Sequence, residues 1–408
     1  MSLPSFPIDE LIWPTIVIVA AGFALSFMFT KRVLLGLCIA GLKGALFLFY
    51  FGVIFDGTYT FRDDWKYLRI GELLKTQHVG ILNLFSDRAY LLHAAKSENL
   101  SYYAYNATAV RLFDSGYYAP VALNVLLTFL AAGFLMKTVQ AGLGMSQRTS
   151  IGLFAFVALS PAILAWSTVA NLKDILVATA TTAVVYAVAL AEQRNSLRAL
   201  CLAAAGVLVL MVTRFYVPLM LAAAFGVTLF LSHRGRRSPW AWLMAIVALS
   251  TAVRVLGHGS LIDALHELRA NIGNPVTGVL RFVITPIPFH TEPSSAFLNI
   301  PQLIYWLLLP LQAYGIICVW RKGTMTGRFM VIYFFLMTLL YGAFTTLQGP
   351  RHRIQIDGII VIFEYYGLLA LLRHRFASKR HPPHMRAMAL PTLEAHPGAL
   401  YRRTGGGA

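Results

Sequence analysis

The chain has 408 residues, of which 58% are hydrophobic and only 12% are charged. A composition this apolar, with a mean hydropathy of +0.66, excludes an ordinary soluble domain. The formal net charge of +17 would suit a nucleic-acid-binding protein, but most Lys and Arg residues lie either in short connections between apolar runs or in the C-terminal tail, which is typical of membrane orientation signals. We therefore predict an integral membrane protein that contacts membrane lipids and no nucleic acid.

Along the chain, eleven apolar runs reach or approach the length of about 20 residues that a membrane helix needs. The sequence therefore predicts an all-α membrane protein, a polytopic bundle of about 11 transmembrane helices in a single domain over residues 1–372. Residues 373–408 are basic, and we expect them to form a disordered tail. The eleven runs are Leu11–Thr30, Val33–Phe55, Tyr118–Val139, Thr149–Trp166, Asp174–Leu190, Ala199–Thr213, Val217–Ser232, Pro239–Val255, Pro301–Trp320, Phe329–Thr346 and Asp357–Leu372.

The basic residues of the short connections fall on one side of the predicted bundle. Because Lys and Arg favour the cytoplasmic side, the N-terminus is expected outside and the C-terminus inside. Loops 56–117 and 257–300, and the turn 347–356, then lie outside the cytoplasm. The connections concerned carry Lys31-Arg32, Arg148, Arg194 with Arg198, Arg234 with Arg236-Arg237, Arg321-Lys322 with Arg328, and the tail from Arg373.

The two long outer loops also contain amphipathic stretches with a helical pattern, which can lie on a membrane surface. These stretches are Asp64–Thr76, Leu82–Lys96 and Leu261–Ile272. In the first of them, the apolar residues available for an interfacial face are Trp65, Leu68, Ile70 and Leu73.

Acidic residues are scarce, and seven of them lie in the first outer loop, from Asp56 to Asp114. Asp63 and Asp64 are adjacent and follow the end of an apolar run. A carboxylate there could accept the proton of an acceptor hydroxyl, or hold a divalent cation near a phosphate. Asp is also favoured in the first turn of a helix, so both could instead be helix caps. Asp56 is more typical of a helix end.

Three charged residues mark later boundaries of apolar runs. Lys173 and Asp174 open a run, where they could be an anchor and a cap or could face a cavity, with Lys173 on a phosphate. Arg214 separates two apolar runs. It could extend to the outer headgroups, or it could recognise a lipid phosphate through its bidentate fork.

A basic turn, Arg351-His352-Arg353, lies on the outer side, where basic residues are disfavoured. Binding of a phosphate or diphosphate headgroup would explain this exception, and an error in the assigned orientation is the alternative. Lys43 and Glu364 lie inside apolar runs, where charges are functional candidates by default. Lys43 could equally mark a misplaced boundary, and Glu364 could pair with one of the arginines.

Taken in order, four motifs resemble those of the GT-C superfamily of integral-membrane glycosyltransferases, which includes protein mannosyltransferases and the aminoarabinose transferases of lipid A. The resemblance covers roughly residues 33 to 372. The chain departs from the family in the extra run Leu11–Thr30 and in having adjacent acids in place of an Asp-x-Asp motif. Because the motif is changed, the resemblance leaves open whether a divalent cation is required as a cofactor. The motifs are Asp63-Asp64-Trp65-Lys66-Tyr67-Leu68, then Leu159-Ser160-Pro161 with Trp166-Ser167 and Lys173-Asp174, then Arg214, and last Arg351-His352-Arg353 with Tyr366-Gly367-Leu368.

The resemblance implies transfer of a sugar from a polyprenyl-phosphate donor to a glycan, lipid or protein acceptor outside the cytoplasm. The first-loop acid, Asp63 by the family spacing, would deprotonate the acceptor hydroxyl, with Asp64 beside it. Basic residues would hold the lipid phosphate. A polymerase of lipid-linked oligosaccharide units and a transporter or flippase of a lipid-linked sugar are the alternatives. The residues expected at the substrate are Tyr67, Lys173, Asp174, Arg214, Arg351 and Arg353.

Overall fold

The computed structural model describes residues 5–77, 100–193, 196–214, 216–232, 273–344 and 350–380. These ranges are helical and contain no β-strand. The helices are α1 (Ile8–Thr30), α2 (Val33–Phe49, extended by a π-helical turn, Tyr50–Ile54), α3 (Arg62–Thr76), α4 (Leu100–Phe113), α5 (Tyr118–Leu143), α6 (Gln147–Ala158), α7 (Pro161–Val169), α8 (Asp174–Glu192), α9 (Ser196–Met211), α10 (Tyr216–Leu231), α11 (Pro275–Ile284), a 3₁₀ turn (Pro293–Leu298), α12 (Asn299–Arg321), α13 (Met325–Ala343) and α14 (Pro350–Arg380).

Within the described ranges, seven helical segments are long and apolar enough to cross a membrane, and α6 with α7 forms an eighth if the bent pair is one span. The protein is therefore a multi-pass membrane protein. The prediction of an all-α membrane fold is confirmed at this level. The seven segments are Ile8–Thr30, Val33–Ile54, Tyr118–Leu143, Asp174–Glu192, Pro293–Arg321, Met325–Ala343 and Arg351–His374.

The predicted count of eleven spans is not confirmed. The run Thr149–Trp166 is bent by 46° between α6 and α7, because Pro161 has no amide hydrogen and disfavours a helical conformation at Ser160. The runs at Ala199–Thr213 and Val217–Ser232 form α9 and α10, which are shorter than a full span. The run Pro239–Val255 lies outside the described residues.

Helices α5 and α8 form the centre of the described structure. In the most apolar stretch of each of these two helices, most residues are buried, 72% for α5 and 78% for α8, against 28% for α1 and 22% for the segment that contains α12. Helices α1 and α12 therefore present most of their surface to the surroundings, which in a membrane are lipid. α5 packs on α1, α4, α6, α7 and α8, so it joins the N-terminal helices to the rest of the fold.

The connections of the described helices meet at two separate ends. At one end, Glu192 at the end of α8 accepts hydrogen bonds from the amides of Met325 and Thr326, both at 2.9 Å, at the start of α13. Lys322 donates to the carbonyl of Leu143 at this same end. The connections after α5, α8 and α12, which the sequence assigns to the cytoplasm, therefore lie together. The other end carries α3 and the start of α8.

The first outer loop contains the predicted amphipathic helix, which begins at Arg62 rather than Asp64. Its buried face differs in part from the predicted one, because Leu74 is buried whereas Leu73 is 44% exposed. This face packs on α4 at Gly71, where an added Cβ would lie 2.6 Å from the Cβ of Asn106. The predicted helices Leu82–Lys96 and Leu261–Ile272 lie outside the described residues.

The chain divides into two compact units, Met1–Gly367 and Leu368–Ala408. The first unit contains every residue that the sequence predicts at the site. The last helix, α14, continues to Arg380, so it includes the first residues of the predicted tail 373–408. The remainder of that tail lies outside the described residues.

Candidate functional site

Asp63 and Asp64 lie in the first turn of α3 and point in different directions. Successive residues of an α-helix are about 100° apart around its axis. As a result, the side chain of Asp63 is 53% exposed, whereas Asp64 is fully buried. The two adjacent acids therefore have different environments, which the sequence alone could not show.

Asp174 is buried at the first residue of α8 and holds two arginines from other parts of the chain. Arg214, in the connection between α9 and α10, donates to Oδ1 at 3.1 Å. Arg351, in the first turn of α14, donates to Oδ2 through Nε at 2.8 Å. A carboxylate at a helix N-terminus is also stabilised by the helix dipole. Asp174 is therefore paired and charged, and it orients both guanidinium groups.

Arg351 joins this buried ion pair to the first outer loop. While its Nε binds Asp174, its Nη1 donates to Oδ2 of Asp63 at 3.0 Å. Four of the predicted site residues thus form one continuous chain of ion pairs. The chain runs from Asp63 through Arg351 and Asp174 to Arg214.

Lys173 adds a further positive charge next to this chain. It precedes Asp174 and is only 7% exposed. Burial lowers the pKa of its ammonium group to about 7, and the nearby Arg214 guanidinium contributes in the same direction, against the attraction of Asp174. Lys173 therefore changes its charge close to neutral pH, unlike an exposed lysine.

Gln355 and His352 complete the surroundings of Asp174, and Gln355 was not predicted at the site. Gln355 donates to Oδ1 of Asp174 at 2.6 Å and accepts a hydrogen bond from Tyr341 at 2.7 Å. The His352 ring lies 5.5 Å from that of Tyr341, at an angle of 44° to it. Gln355 lies one helical turn after Arg351, so its place beside Asp174 follows from the helical period once Arg351 is placed.

Two buried nitrogens of this cluster have no hydrogen-bond partner within the described residues: Nε of Arg214 and Nδ1 of His352. Buried polar atoms are normally paired with protein groups, water or ligand. The guanidinium of Arg214 uses Nη2 for Asp174, and its buried Nε keeps its hydrogen-bonding capacity unused among the described residues. A cation with an unused donor suits an anionic group, and this one is linked to the exposed carboxylate of Asp63 through Asp174 and Arg351.

Arg353 has a different environment from Arg351, although the two were predicted to act together. It donates to the carbonyl of Thr285 at 3.1 Å and to the side chain of Gln302. Its guanidinium lies 4.1 Å from the ring centroid of Tyr305 and forms an ion pair of 3.7 Å with Asp357. Arg353 is buried and its partners are protein groups, so it braces the segment after α11.

Tyr67 lies on the buried face of α3, where its ring packs at 4.9 Å from that of Tyr102 and at 5.7 Å from that of Tyr103. Burial raises the pKa of its hydroxyl to about 12, with Arg351 and Asp63 among the nearby charges.

Asp56 accepts a hydrogen bond from the amide of Thr58 at 2.8 Å, which is the turn-forming role expected of a helix end.

The two charges predicted inside spans are also placed. Lys43 is buried between α2 and α5, where its ammonium donates to Thr128 at 2.5 Å and lies 5.0 Å from the ring centroid of Phe129. It therefore lies within a span rather than at a boundary. The predicted pairing of Glu364 with an arginine is not seen, since among the described residues Glu364 makes no ion pair.

Within the described ranges, no three His, Cys, Asp or Glu side chains come close enough together to hold a metal ion.

Comparison of the chain with models of protein families, with curated proteins and with solved structures found no significant match. Any functional conclusion must therefore rest on the cluster itself.

Proposed function

We propose that the protein is a membrane glycosyltransferase of the GT-C type, acting in a bacterial inner membrane with its N-terminus outside and its C-terminus inside. It would move a sugar from a polyprenyl-phosphate donor to a glycan, lipid or protein acceptor on the non-cytoplasmic face. The observation that carries this proposal is the contact of Arg351 with both Asp63 and Asp174. It places an exposed carboxylate beside partly buried cations, at the end of helices that can cross a membrane.

Each component of the reaction has a candidate in this cluster. As the acceptor oxygen attacks the anomeric carbon, Asp63 takes its proton. The bond from that carbon to the phosphate oxygen breaks, and the electron pair remains on the lipid phosphate. Arg351, Arg214 and Lys173 are placed to stabilise that negative charge, because cations held in a water-poor site bind a developing anion strongly. Asp174 would keep both arginines in position.

The same cluster bears on the alternative functions. A polymerase of lipid-linked oligosaccharides would use the same chemistry with a lipid-linked acceptor, so it differs in substrate and not in site. A transporter of a lipid-linked sugar would need cations for the phosphate but no proton acceptor beside them. The contact of the exposed Asp63 with Arg351 therefore favours chemistry.

The proposal is tested by replacing Asp63 with Asn, which keeps the size of the side chain and removes its ability to take a proton. Loss of a general base typically lowers the rate about 10²–10⁴-fold. The measurement is sugar transfer by purified protein in lipid vesicles from a panel of polyprenyl-phosphate sugars, chosen by mass spectrometry of envelope glycans from cells with and without the protein.

Arg69→Gln is the matched control, because Arg69 is an exposed charge on the same helix and lies outside the cluster. It should transfer sugar at the normal rate. Normal transfer by Asp63→Asn would remove Asp63 from the mechanism. Envelope glycans that are identical with and without the protein would overturn the proposed function itself.

A further inference from the structure

Behind the exposed face of α3, a group of fully buried polar side chains lies outside the ion-pair chain. Tyr117 donates to Oδ2 of Asp64 at 2.6 Å, and the same oxygen accepts from the amide of Phe61 at 3.2 Å. The hydroxyl of Tyr117 in turn accepts from the backbone amide of Asn171 at 3.2 Å. Asp64, Tyr117 and Asn171 are each at most 1% exposed.

Asn171 uses its side chain fully in this group. Its Nδ2 donates to the backbone carbonyl of Asp64 at 3.2 Å and to Oδ1 of Asn106 at 2.8 Å. Its Oδ1 accepts from the hydroxyl of Tyr102 at 2.8 Å. A buried network in which nearly every member is satisfied fixes the relative position of the elements it joins.

The joined elements are the ones that carry the two acids of the ion-pair chain. Asp64 is the neighbour of Asp63 in the first turn of α3, and Asn171 lies three residues before Asp174. The bonds from Asn171 to Tyr117 and to the carbonyl of Asp64 therefore connect the backbone on either side of Arg351. The distance from Asp63 to Asp174, which Arg351 spans, depends on this connection.

Asp64 itself has no route to an acceptor. It is fully buried, and one of its carboxylate oxygens already has two protein donors, while Oδ1 has no partner among the described residues. Burial raises the pKa of this carboxyl to about 7, against the hydrogen bond from Tyr117. Near neutral pH it is therefore partly uncharged, and both forms can accept the two hydrogen bonds.

We propose that Asp64, Tyr117 and Asn171 are positioning residues that hold Asp63 against Arg351 and Asp174. This inference rests on the proposed function for its catalytic meaning. It assigns the two adjacent acids separate roles: Asp63 reacts, and Asp64 anchors the helix on which Asp63 is carried.

The first test compares two substitutions of Asp64. Asn can accept the same two hydrogen bonds, whereas Ala cannot, so transfer should be retained within about threefold in Asp64→Asn and fall about 10- to 100-fold in kcat in Asp64→Ala, because a displacement near 1 Å costs about 10²-fold. The KM for the donor should change little. If Asp64→Asn is as inactive as Asp64→Ala, the charge of Asp64 is needed and the positioning role is wrong.

A double-substitution cycle shows whether the network acts through Asp63. Tyr117→Phe should lower kcat in the native background and have no further effect in Asp63→Asn, because misplacing a group that no longer accepts a proton has no cost. Equal effects in both backgrounds would mean that Tyr117 acts only on stability, and the inference would fall.

A third measurement needs no sugar transfer. A nitroxide on Lys66→Cys, an exposed position of α3, in a chain with its three native cysteines replaced, reports the mobility of this helix. Mobility should rise in Asn171→Ala and Asp64→Ala, and stay unchanged in Asp64→Asn.

Thr326→Val is the control for the label, because it removes a buried hydrogen bond to Glu192 at the opposite end and should leave the mobility of α3 unchanged. If the mobility of the label in Asn171→Ala is the same as without the substitution, Asn171 does not anchor α3. If the wild-type protein transfers no sugar and the label still becomes mobile, the proposed function has failed and the anchoring has not.

Discussion

At the scale of single residues, Arg351 and Arg353 show how position on one helix separates two similar side chains. They are two residues apart in α14, hence about 200° apart around the helix axis. Arg351 is directed to Asp63 and Asp174, whereas Arg353 is directed to Gln302 and the carbonyl of Thr285. They could not be distinguished from the sequence, because both lie in one basic turn.

Because of this difference, substitution of Arg351 is expected to affect donor binding, whereas substitution of Arg353 is expected to affect stability. Arg351→Ala should weaken donor binding and lower kcat/KM about 10²-fold or more, since a charged donor to the phosphate is lost. Arg351→Lys should recover only part of it, because lysine lacks the bidentate fork that reaches both acids. Donor binding is measured with a polyprenyl-phosphate sugar in vesicles.

Arg353→Ala is the companion variant. It should lower the Tm of the protein in detergent, because it leaves Asp357 and Gln302 without their buried partner, while the surviving folded fraction binds the donor normally. Normal donor affinity in Arg351→Ala, or a lost affinity in folded Arg353→Ala, would contradict these assignments.

Lys173 predicts a pH dependence of donor binding. Its pKa of about 7 means that it is charged below neutral pH and loses its charge as the pH rises, with about a tenth of the charge left one unit above the pKa. The charged groups around it are Arg214, Asp174, Arg351 and Asp63. Donor affinity should therefore fall as the pH rises through about 7, with the midpoint moved upward when the phosphate is bound.

Lys173→Arg tests this assignment, because arginine keeps its charge throughout this range. Titration of donor binding by fluorescence between pH 6 and 9 should show a fall for the native protein and a flat response for the variant. The same fall in both proteins would exclude Lys173 as its origin.

The residues of the ion-pair chain could be selected from the sequence because charges are rare in so apolar a chain. Each of Asp63, Asp174, Arg214 and Arg351 lies near the boundary of an apolar run, on the side that the sequence assigns to the exterior. Asn171 and Tyr117 could not be selected in this way. They are uncharged polar residues whose role depends on contacts with distant parts of the chain, 107 residues away for Asn171 and Asp64.

At the scale of elements, apolar length predicted the long helices well. Tyr118–Val139 and Asp174–Leu190 match α5 and α8 to within a few residues, because about 20 apolar residues have few alternatives to a membrane helix. Length did not predict the break at Ser160-Pro161 or the short α9 and α10. A short apolar run has the same pattern whether it crosses a membrane or packs against other helices.

The amphipathic helix α3 was predicted from the sequence only in part. Periodicity predicts the helix but only part of its buried face, because Trp65, Leu68, Ile70 and Leu73 suggested contact with a membrane surface. Of these Leu68 is buried, and the structure also turns Tyr67 and Leu74 towards the protein. Tyr102 and Tyr103 on α4, in the same outer loop, pack against Tyr67 and so favour this orientation.

For the whole molecule, the two ends of the described structure predict a topology. The connections after α5, α8 and α12 meet at one end, and they carry the basic residues that favour the cytoplasm. Reporter fusions at Gly144 and Gly323 should therefore score cytoplasmic, and a fusion at position 99, outside the described residues, should score external. A cytoplasmic score at position 99 would contradict both the orientation and a catalytic first loop.

The contact between Asp63 and Arg351 joins residues 288 positions apart, and this has a consequence for biosynthesis. During synthesis, Asp174 is made before either arginine, and Arg214 is made well ahead of Arg351. The carboxylate thus remains only partly compensated until the final helix has been inserted. A chain that stops before α14 therefore lacks the contact of Arg351 with Asp63 and Asp174, which connects the first outer loop to the core. The site is complete only once the last helix has been made.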